Sequence, residues 1–350
     1  MKKITILFLT IFLTILFISC NSSNDETENI KAKWINNAFD AIESGNYPKI
    51  KAISWWHENW EGTTLRLDSS EKATEAYKNR IDNNLYDSEL IFENNKLIPR
   101  EDGIYHSAFP DFGGQENFVS DEKIIEFEDL VGKDIAWAYF SNNWIGGVFF
   151  PIDDLQIIHN TGKTPFVRLM ARSDFTEYGQ DETYTMQRIL QGDFDVELNT
   201  WFAQASNLAY PILCEFGTEM NGNWFPWNGQ YAGAGTSDGY GDPNYPDGPE
   251  RFRDAYRHII DIANANNANN ITWFFHVDVH SVPEDNWNDI SNYYPGDDYI
   301  DWLGFSAYGP YNSDADMEYF SELIEQVYPK LLTISPEKPI AVLEFGVSEL

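Results

Sequence analysis

From about residue 100 onward the chain alternates short apolar runs with longer stretches in which apolar residues recur at helical spacing. The runs at residues 103–108, 134–140, 164–170, 210–217, 271–277, 300–307 and 338–345 have the length and composition of buried strands. Helices are predicted between them at 121–131, 196–208, 249–263 and 317–332. In the third of these, Phe252, Tyr256, Ile259 and Ile260 form one stripe and Pro249 occupies the first turn. Such alternation predicts parallel βα units and argues against a sandwich. An eighth strand is available only upstream, at 50–56, after a helix marked by Ile30, Trp34, Ala38, Phe39 and Ile42 and stopped by Gly45 and Pro48. Asp68-Ser-Ser-Glu71 has capping-box spacing and opens a further helix through Ile81. The predicted fold is therefore α/β: one (β/α)8 TIM barrel over residues 29–350, whose closing strand comes first in sequence.

The first twenty residues read as a lipoprotein signal peptide. Lys2 and Lys3 precede an apolar run from Ile4 to Ile18, and Ser19-Cys20 ends it as a lipobox. The expectation is processing at Cys20, lipid anchoring to a bacterial envelope membrane, and a flexible acidic tether over 21–28. Membrane contact is expected through Cys20 alone. Cys214 then has no partner, lies in an apolar run and is expected to be a core residue.

Charge narrows the partners. With 56 acidic against 23 basic residues the formal net charge is −33, which repels nucleic acid and acidic glycans. Aromatics reach 16%, including 12 Trp and 19 Tyr, and flat apolar rings suit the faces of sugars. A neutral polysaccharide is the partner these features favour, bound by a monomer.

In a barrel of this type chemistry collects at the C-terminal ends of strands. Two glutamates sit there clearly: Glu219, after Pro-Ile-Leu-Cys-Glu-Phe-Gly-Thr, and Glu344, after Lys-Pro-Ile-Ala-Val-Leu. Each runs into a turn, Met220-Asn-Gly222 and Phe345-Gly346. Two carboxyls converging on one cleft are the minimum equipment for cleaving a glycosidic bond, one holding a proton for the leaving oxygen and the other ionised to attack.

The segment Gly217-Thr-Glu-Met-Asn-Gly-Asn-Trp-Phe-Pro-Trp227 resembles the H-E-M-N-G-x-W-x-P-W signature of glycoside hydrolase family 26, the β-mannanase family. Lys338 to Gly346 resembles the segment carrying that family's nucleophile, and Asp301 to Tyr308 its strand-six segment. The resemblance implies Glu219 as acid/base, Glu344 as nucleophile, Tyr308 as hydrogen-bond donor to the nucleophile, and Trp224 beside the cut. It also places Asn221 and Trp227 at the substrate. The N-terminal Tyr47 to Trp60 and Leu67 to Ser70 resemble what normally follows the nucleophile, so the chain reads as circularly permuted, with Trp55, or its rival Trp56, as the strand-eight aromatic under the substrate. One position departs from the signature: Thr218 stands where the family has His. Family members also act on mixed-linkage β-glucan or xylan, so a retaining endo-β-mannanase, a lichenase-like or xylanase-like enzyme, and a surface glycan-binding lipoprotein without turnover all stay open.

Glu215 shares the strand parity of Glu219, and Arg168 lies at comparable depth one strand earlier, so the two are expected to pair inside the barrel as a structural ion pair. The glycine-rich loop 223–248 carries Trp224, Phe225, Trp227, Tyr231, Tyr240 and Tyr245 and suits a polysaccharide groove. Among the six histidines none has metal-ligand spacing; His276, with Asp278 beyond the strand at 271–277, is expected to reach the cleft, whereas His258 belongs to a helix. No nucleotide or phosphate loop occurs, so the expected hydrolysis uses no cofactor and no metal.

Overall fold

The structure is a computed structural model that describes residues 29–60, 62–311 and 317–349. The expected signal peptide, lipobox and tether lie outside the described residues. Eight parallel strands form a closed barrel: β1 (Ile50–Trp56), β2 (Ile104–Phe109), β3 (Trp137–Asn143), β4 (Thr164–Met170), β5 (Ile212–Phe216), β6 (Ile271–Asp278), β7 (Trp302–Tyr308) and β8 (Ile340–Gly346). Each pairs with the next, and β1 pairs in parallel with both β8 (Ile50 with Ile340) and β2 (Ala52 with Tyr105), which closes the sheet. The N-terminal strand is thus a stave of the barrel. Closure leaves no exposed sheet edge.

The helices follow from the predicted periodicity with modest shifts. They are α1 (Ile30–Glu43), α2 (Glu71–Ile81), α3 (Asp121–Val131), α4 (Ile152–Asn160), α5 (Met186–Leu190), α6 (Asp195–Ala205), α7 (Asp247–Ala265) and α8 (Phe320–Ile334). The capping expectation for α2 is corrected by two residues. Ser70, not Asp68, accepts the hydrogen bond from the Ala73 amide, while Asp68 sits in a 3₁₀ turn and pairs with Arg66. The sequence reading also passed over α4 and α5, both short and without a wide apolar stripe.

Strand parity divides the core into two compartments. On β8, Leu343 and Phe345 alternate with Glu344, and Phe345 packs outward against Trp34 and Phe39 of α1. On β1 the same alternation sends Trp55 outward, where its ring meets Tyr77 and Phe345 and its indole N–H donates to the Leu65 carbonyl at 3.2 Å. Trp56 turns inward and stacks on Phe109 at a centroid distance of 4.1 Å. The expectation that Trp55 lies under the substrate is therefore corrected: it is fully buried between the barrel and its helices. A shift of one position on a strand exchanges the two faces. Cys214 is buried in β5 with a free thiol, as expected of a core residue.

Candidate active site

Glu219 stands just beyond the C-terminal end of β5, in a turn that twice enters left-handed backbone space. Gly217 has φ +62°, and a Cβ there would lie 2.5 Å from the Phe252 ring. Glu219 itself has φ +50°, uncommon outside glycine, asparagine and aspartate and found disproportionately at functional sites. The turn is held by its surroundings: the Glu219 amide donates to the His276 carbonyl at 3.1 Å, and the Trp227 indole donates to the Thr218 carbonyl at 2.7 Å. Three residues past Glu219, Gly222 lets the Trp224 ring fold onto the backbone, where any Cβ would lie 2.1 Å from it. Trp224 consequently places its indole N–H 2.8 Å from Glu219 Oε2.

Glu344 lies on β8 with one oxygen satisfied and one bare. Tyr308, at the end of β7, donates to Oε2 at 2.7 Å. Oε1 is buried, has no hydrogen-bond partner and faces the Arg168 guanidinium at 3.3 Å. Burial pushes the Glu344 carboxyl up to about 7, against the opposing pull of Arg168. One oxygen of Glu219 and one of Glu344 lie within 4.8 Å of each other, so the two carboxyls share a single small space.

Beneath them is a buried polar network. Arg168 and Glu215 are register partners on β4 and β5, and the expected ion pair forms at 3.4 Å. Its role is broader than expected, because Arg168 also donates to Glu116 at 2.7 Å and lies over the Trp56 ring at 5.3 Å besides facing Glu344. Glu215 in turn accepts from the Tyr139 hydroxyl and pairs with His276 Nδ1 at 2.9 Å. Despite the desolvation of full burial, His276, Arg168 and Tyr139 hold the Glu215 carboxyl below its usual range. Because a carboxylate only accepts, this contact assigns a proton to Nδ1, and Thr218 Oγ1 shares it at 2.8 Å. The other ring nitrogen, Nε2, meets Ser306 Oγ at 2.7 Å. Glu219, His276 and Glu344 are close enough to suggest a cation site, yet both His276 nitrogens are already committed, which leaves two carboxylates alone. That donor set suits proton transfer better than metal binding.

Of the other residues expected at the substrate, three face elsewhere. Asn221 is fully buried and ties the chain after β6, donating to the Asp278 carbonyl at 2.9 Å and accepting from the amides of Asp278 and Val282. Trp227 is buried and stacked on Phe225 at 4.6 Å. His276 is 2% exposed with every polar ring atom engaged. The loop 223–248 mostly packs on itself and on α7: Tyr240 and Tyr245 lie under Arg251 and Arg253, and Tyr231 bonds the Asn223 carbonyl at 2.7 Å. Only Trp224 of that aromatic series reaches the carboxyls. The rings the sequence reading missed come from other loops: Tyr311 packs against both Tyr308 (5.9 Å) and Trp60 (5.5 Å), and Tyr178 is 68% exposed, its amide bonded to the Trp224 carbonyl.

Fold and site together define a (β/α)8 barrel with paired carboxyls at its C-terminal face. The family model for glycosyl hydrolase family 26 matches residues 169–340, and the chain belongs to that family. It is 31% identical over 234 residues to Endoglucanase H of Acetivibrio thermocellus, covering 66% of this chain and 23% of that one. It is also 25% identical over 131 residues to a beta-1,3-xylanase of an Alcaligenes species, covering 37% and 24%. The chain thus spans about a quarter of the length of these relatives. Among solved structures, the family 26 β-mannanase BoMan26A of Bacteroides ovatus aligns over 91% of this chain and 76% of its own, at 17% identity and a TM-score of 0.43. The mannanase man26 of Bacillus subtilis aligns over 65% and 75%, at 16% identity and a TM-score of 0.43.

Proposed function

We propose that the protein is a retaining, endo-acting β-glycanase that hydrolyses a neutral β-1,4-linked polysaccharide, with Glu344 as nucleophile and Glu219 as acid/base. The observation that carries this reading is the separation of the two carboxyls. Retention requires carboxyl groups about 5–5.5 Å apart and inversion about 6.5–9.5 Å, to admit a water. Oxygens within 4.8 Å support the first. The occupancy of each oxygen fits the same roles. Tyr308 holds Glu344 Oε2 and Arg168 faces Oε1, which together keep the carboxylate oriented for attack on the anomeric carbon. The Trp224 indole holds Glu219 Oε2, so Oε1 carries the proton for the leaving oxygen. As the C–O bond breaks, that proton passes to the departing sugar and a glycosyl ester forms on Glu344. Glu219, now ionised, takes a proton from water, which attacks the same carbon and frees Glu344.

A β-mannan is the substrate favoured by the signature around Glu219. Mixed-linkage β-glucan is the second reading, favoured by Thr218 in place of the family's His and by the 31% identity to a relative named an endoglucanase. The deciding experiment is release of reducing ends by purified protein from galactomannan, glucomannan, mixed-linkage glucan and xylan, with product lengths read alongside. Activity on none of them would leave the glycan-binding alternative. Two further proposals come from the sequence. The chain is circularly permuted relative to its family, which accounts for Glu344 on the eighth strand with its following segment at the N-terminus. Cys20 carries the envelope anchor, which is tested by whether Cys20→Ser releases the protein from membranes.

A further inference from the structure

We infer that His276 is the positioning residue that aims the acid/base, by clamping the turn Gly217-Thr218-Glu219 from the neighbouring strand. This rests on the reading of Glu219 as acid/base.

The turn needs a clamp because its backbone is left-handed at both ends, freely so at Gly217 (φ +62°) but with strain at Glu219 (φ +50°), which carries a side chain. A non-glycine residue held in that region costs on the order of 1–3 kcal/mol and persists only where its surroundings determine it. His276 contributes two of those determinants from one residue. Its carbonyl accepts the Glu219 amide at 3.1 Å, and its ring meets the Thr218 hydroxyl at 2.8 Å. The ring is fixed in its turn on both sides, by Glu215 at Nδ1 and Ser306 at Nε2, from β5 and β7. The position of Glu219 is therefore set by three strands, with His276 between them on β6. The ring has no free polar atom for a sugar and is almost fully buried, so its influence reaches the reaction only through what it holds.

A misaimed acid differs from a damaged fold in one measurable way: the first step, which kcat/KM reports, suffers only when the leaving group needs a proton. The test compares Thr218→Val, His276→Leu and His276→Asn on the best natural β-glycan and on a dinitrophenyl β-glycoside of the same sugar. Asn can offer an N–H near the position of Nδ1; Leu cannot. Expected is a loss in kcat/KM of about 10- to 100-fold on the glycan for Thr218→Val and His276→Leu, with kcat/KM on the activated glycoside changed by less than about threefold. His276→Asn should recover part of the loss. Equal losses on both substrates, or no loss on either, would overturn the clamp. If His276→Leu does not fold, as its circular dichroism would show, Thr218→Val decides alone, since it removes one hydroxyl and keeps the side-chain shape. A wild-type protein that cleaves neither substrate refutes the glycanase reading itself, and this inference with it.

Discussion

The Arg168 guanidinium lies 3.3 Å from Glu344 Oε1, and no hydrogen bond joins them. Glu344 therefore feels a buried cation at one oxygen while its other oxygen accepts from Tyr308. A donor aligned on the first oxygen would stabilise the carboxylate more and make it a weaker nucleophile.

This relationship predicts a pH profile. Burial pushes the Glu344 carboxyl up to about 7 while Arg168 pulls it down, and only the ionised form attacks. The acid limb of kcat/KM should therefore have its midpoint near 7, with activity lost as pH falls through it. In Arg168→Met the downward pull is gone, so the limb should move to higher pH. That variant should also lose about 3–5 kcal/mol of stability, because Glu116, Glu215 and Glu344 all lose their buried cation. Replacing Glu215 with Leu as well should recover little, since Glu215 keeps Tyr139 and His276 while Glu116 and Glu344 remain unpaired. A limb that stays in place would show that Arg168 does not set the charge of Glu344.

Glu58 predicts the opposite dependence for stability. It is 4% exposed, and burial, then Glu116 and Asp111, push its carboxyl from 4.5 up to about 8. Between those values the folded chain keeps a proton that the unfolded chain releases. Its contribution is therefore full below about 4.5 and is lost as pH rises through about 8, at up to about 1.4 kcal/mol per pH unit. Glu344 acts with the same sign up to about 7. The melting temperature should fall between pH 5 and 8, and Glu58→Gln, which cannot ionise, should flatten that fall. Identical slopes in wild type and variant would mean that Glu58 is solvated.

What the sequence revealed, and what it hid, divides along physical lines. The barrel was legible because buried parallel strands and amphipathic helices impose runs and periods on the chain. Glu219 and Glu344 were legible because each interrupts or follows an apolar run at a strand end. Even the depth match of Arg168 with Glu215 followed from counting along strands. The substrate assignments of Asn221, Trp227 and His276 failed because a signature marks residues near a site without saying which hold it up. Asn221 and Trp227 are struts, recognisable only once their backbone partners across the loops are known. Glu116 and Tyr311 were missed for a related reason: they lie in irregular loops where no period fixes direction.

The correction at β1 can be tested directly. Trp55 fills the layer between barrel and helices, so Trp55→Ala should cost about 3–5 kcal/mol by cavity formation and leave the kcat of the remaining folded protein nearly intact. Trp56 lies under Arg168 on the inner side. Trp56→Ala should therefore lower kcat/KM by about tenfold or more through Arg168, since small displacements near a site are costly. Thermal melts and kinetics on the two variants, measured on folded fractions, would separate the faces. Equal kinetic damage from both would sink the assignment.

The catalytic pair makes the last prediction. Glu344→Ala removes the atom that forms the glycosyl ester, so activity should vanish on every substrate whatever its leaving group. Glu219→Ala removes only the proton donor and the later base. On a natural glycan both steps suffer, whereas a dinitrophenyl glycoside departs without a proton, so its first step should continue and the ester on Glu344 should accumulate. A burst of dinitrophenol followed by a slow steady state would report that accumulation, and mass spectrometry would locate one added glycosyl unit on the peptide containing Glu344. Azide, which needs no base, should speed the slow phase and leave a β-glycosyl azide, its configuration recording two successive inversions at the anomeric carbon. The geometry adds a constraint that the sequence could not. Tyr308 donates to Glu344 and orients its carboxylate, so Tyr308→Phe should lower the rate of ester formation while leaving the burst stoichiometry near one. If Glu219→Ala is equally inactive on both kinds of leaving group, or Glu344→Ala still turns over, the chemistry lies elsewhere in the cleft, and the buried carboxyls of Glu58 and Asp278 become the groups to replace.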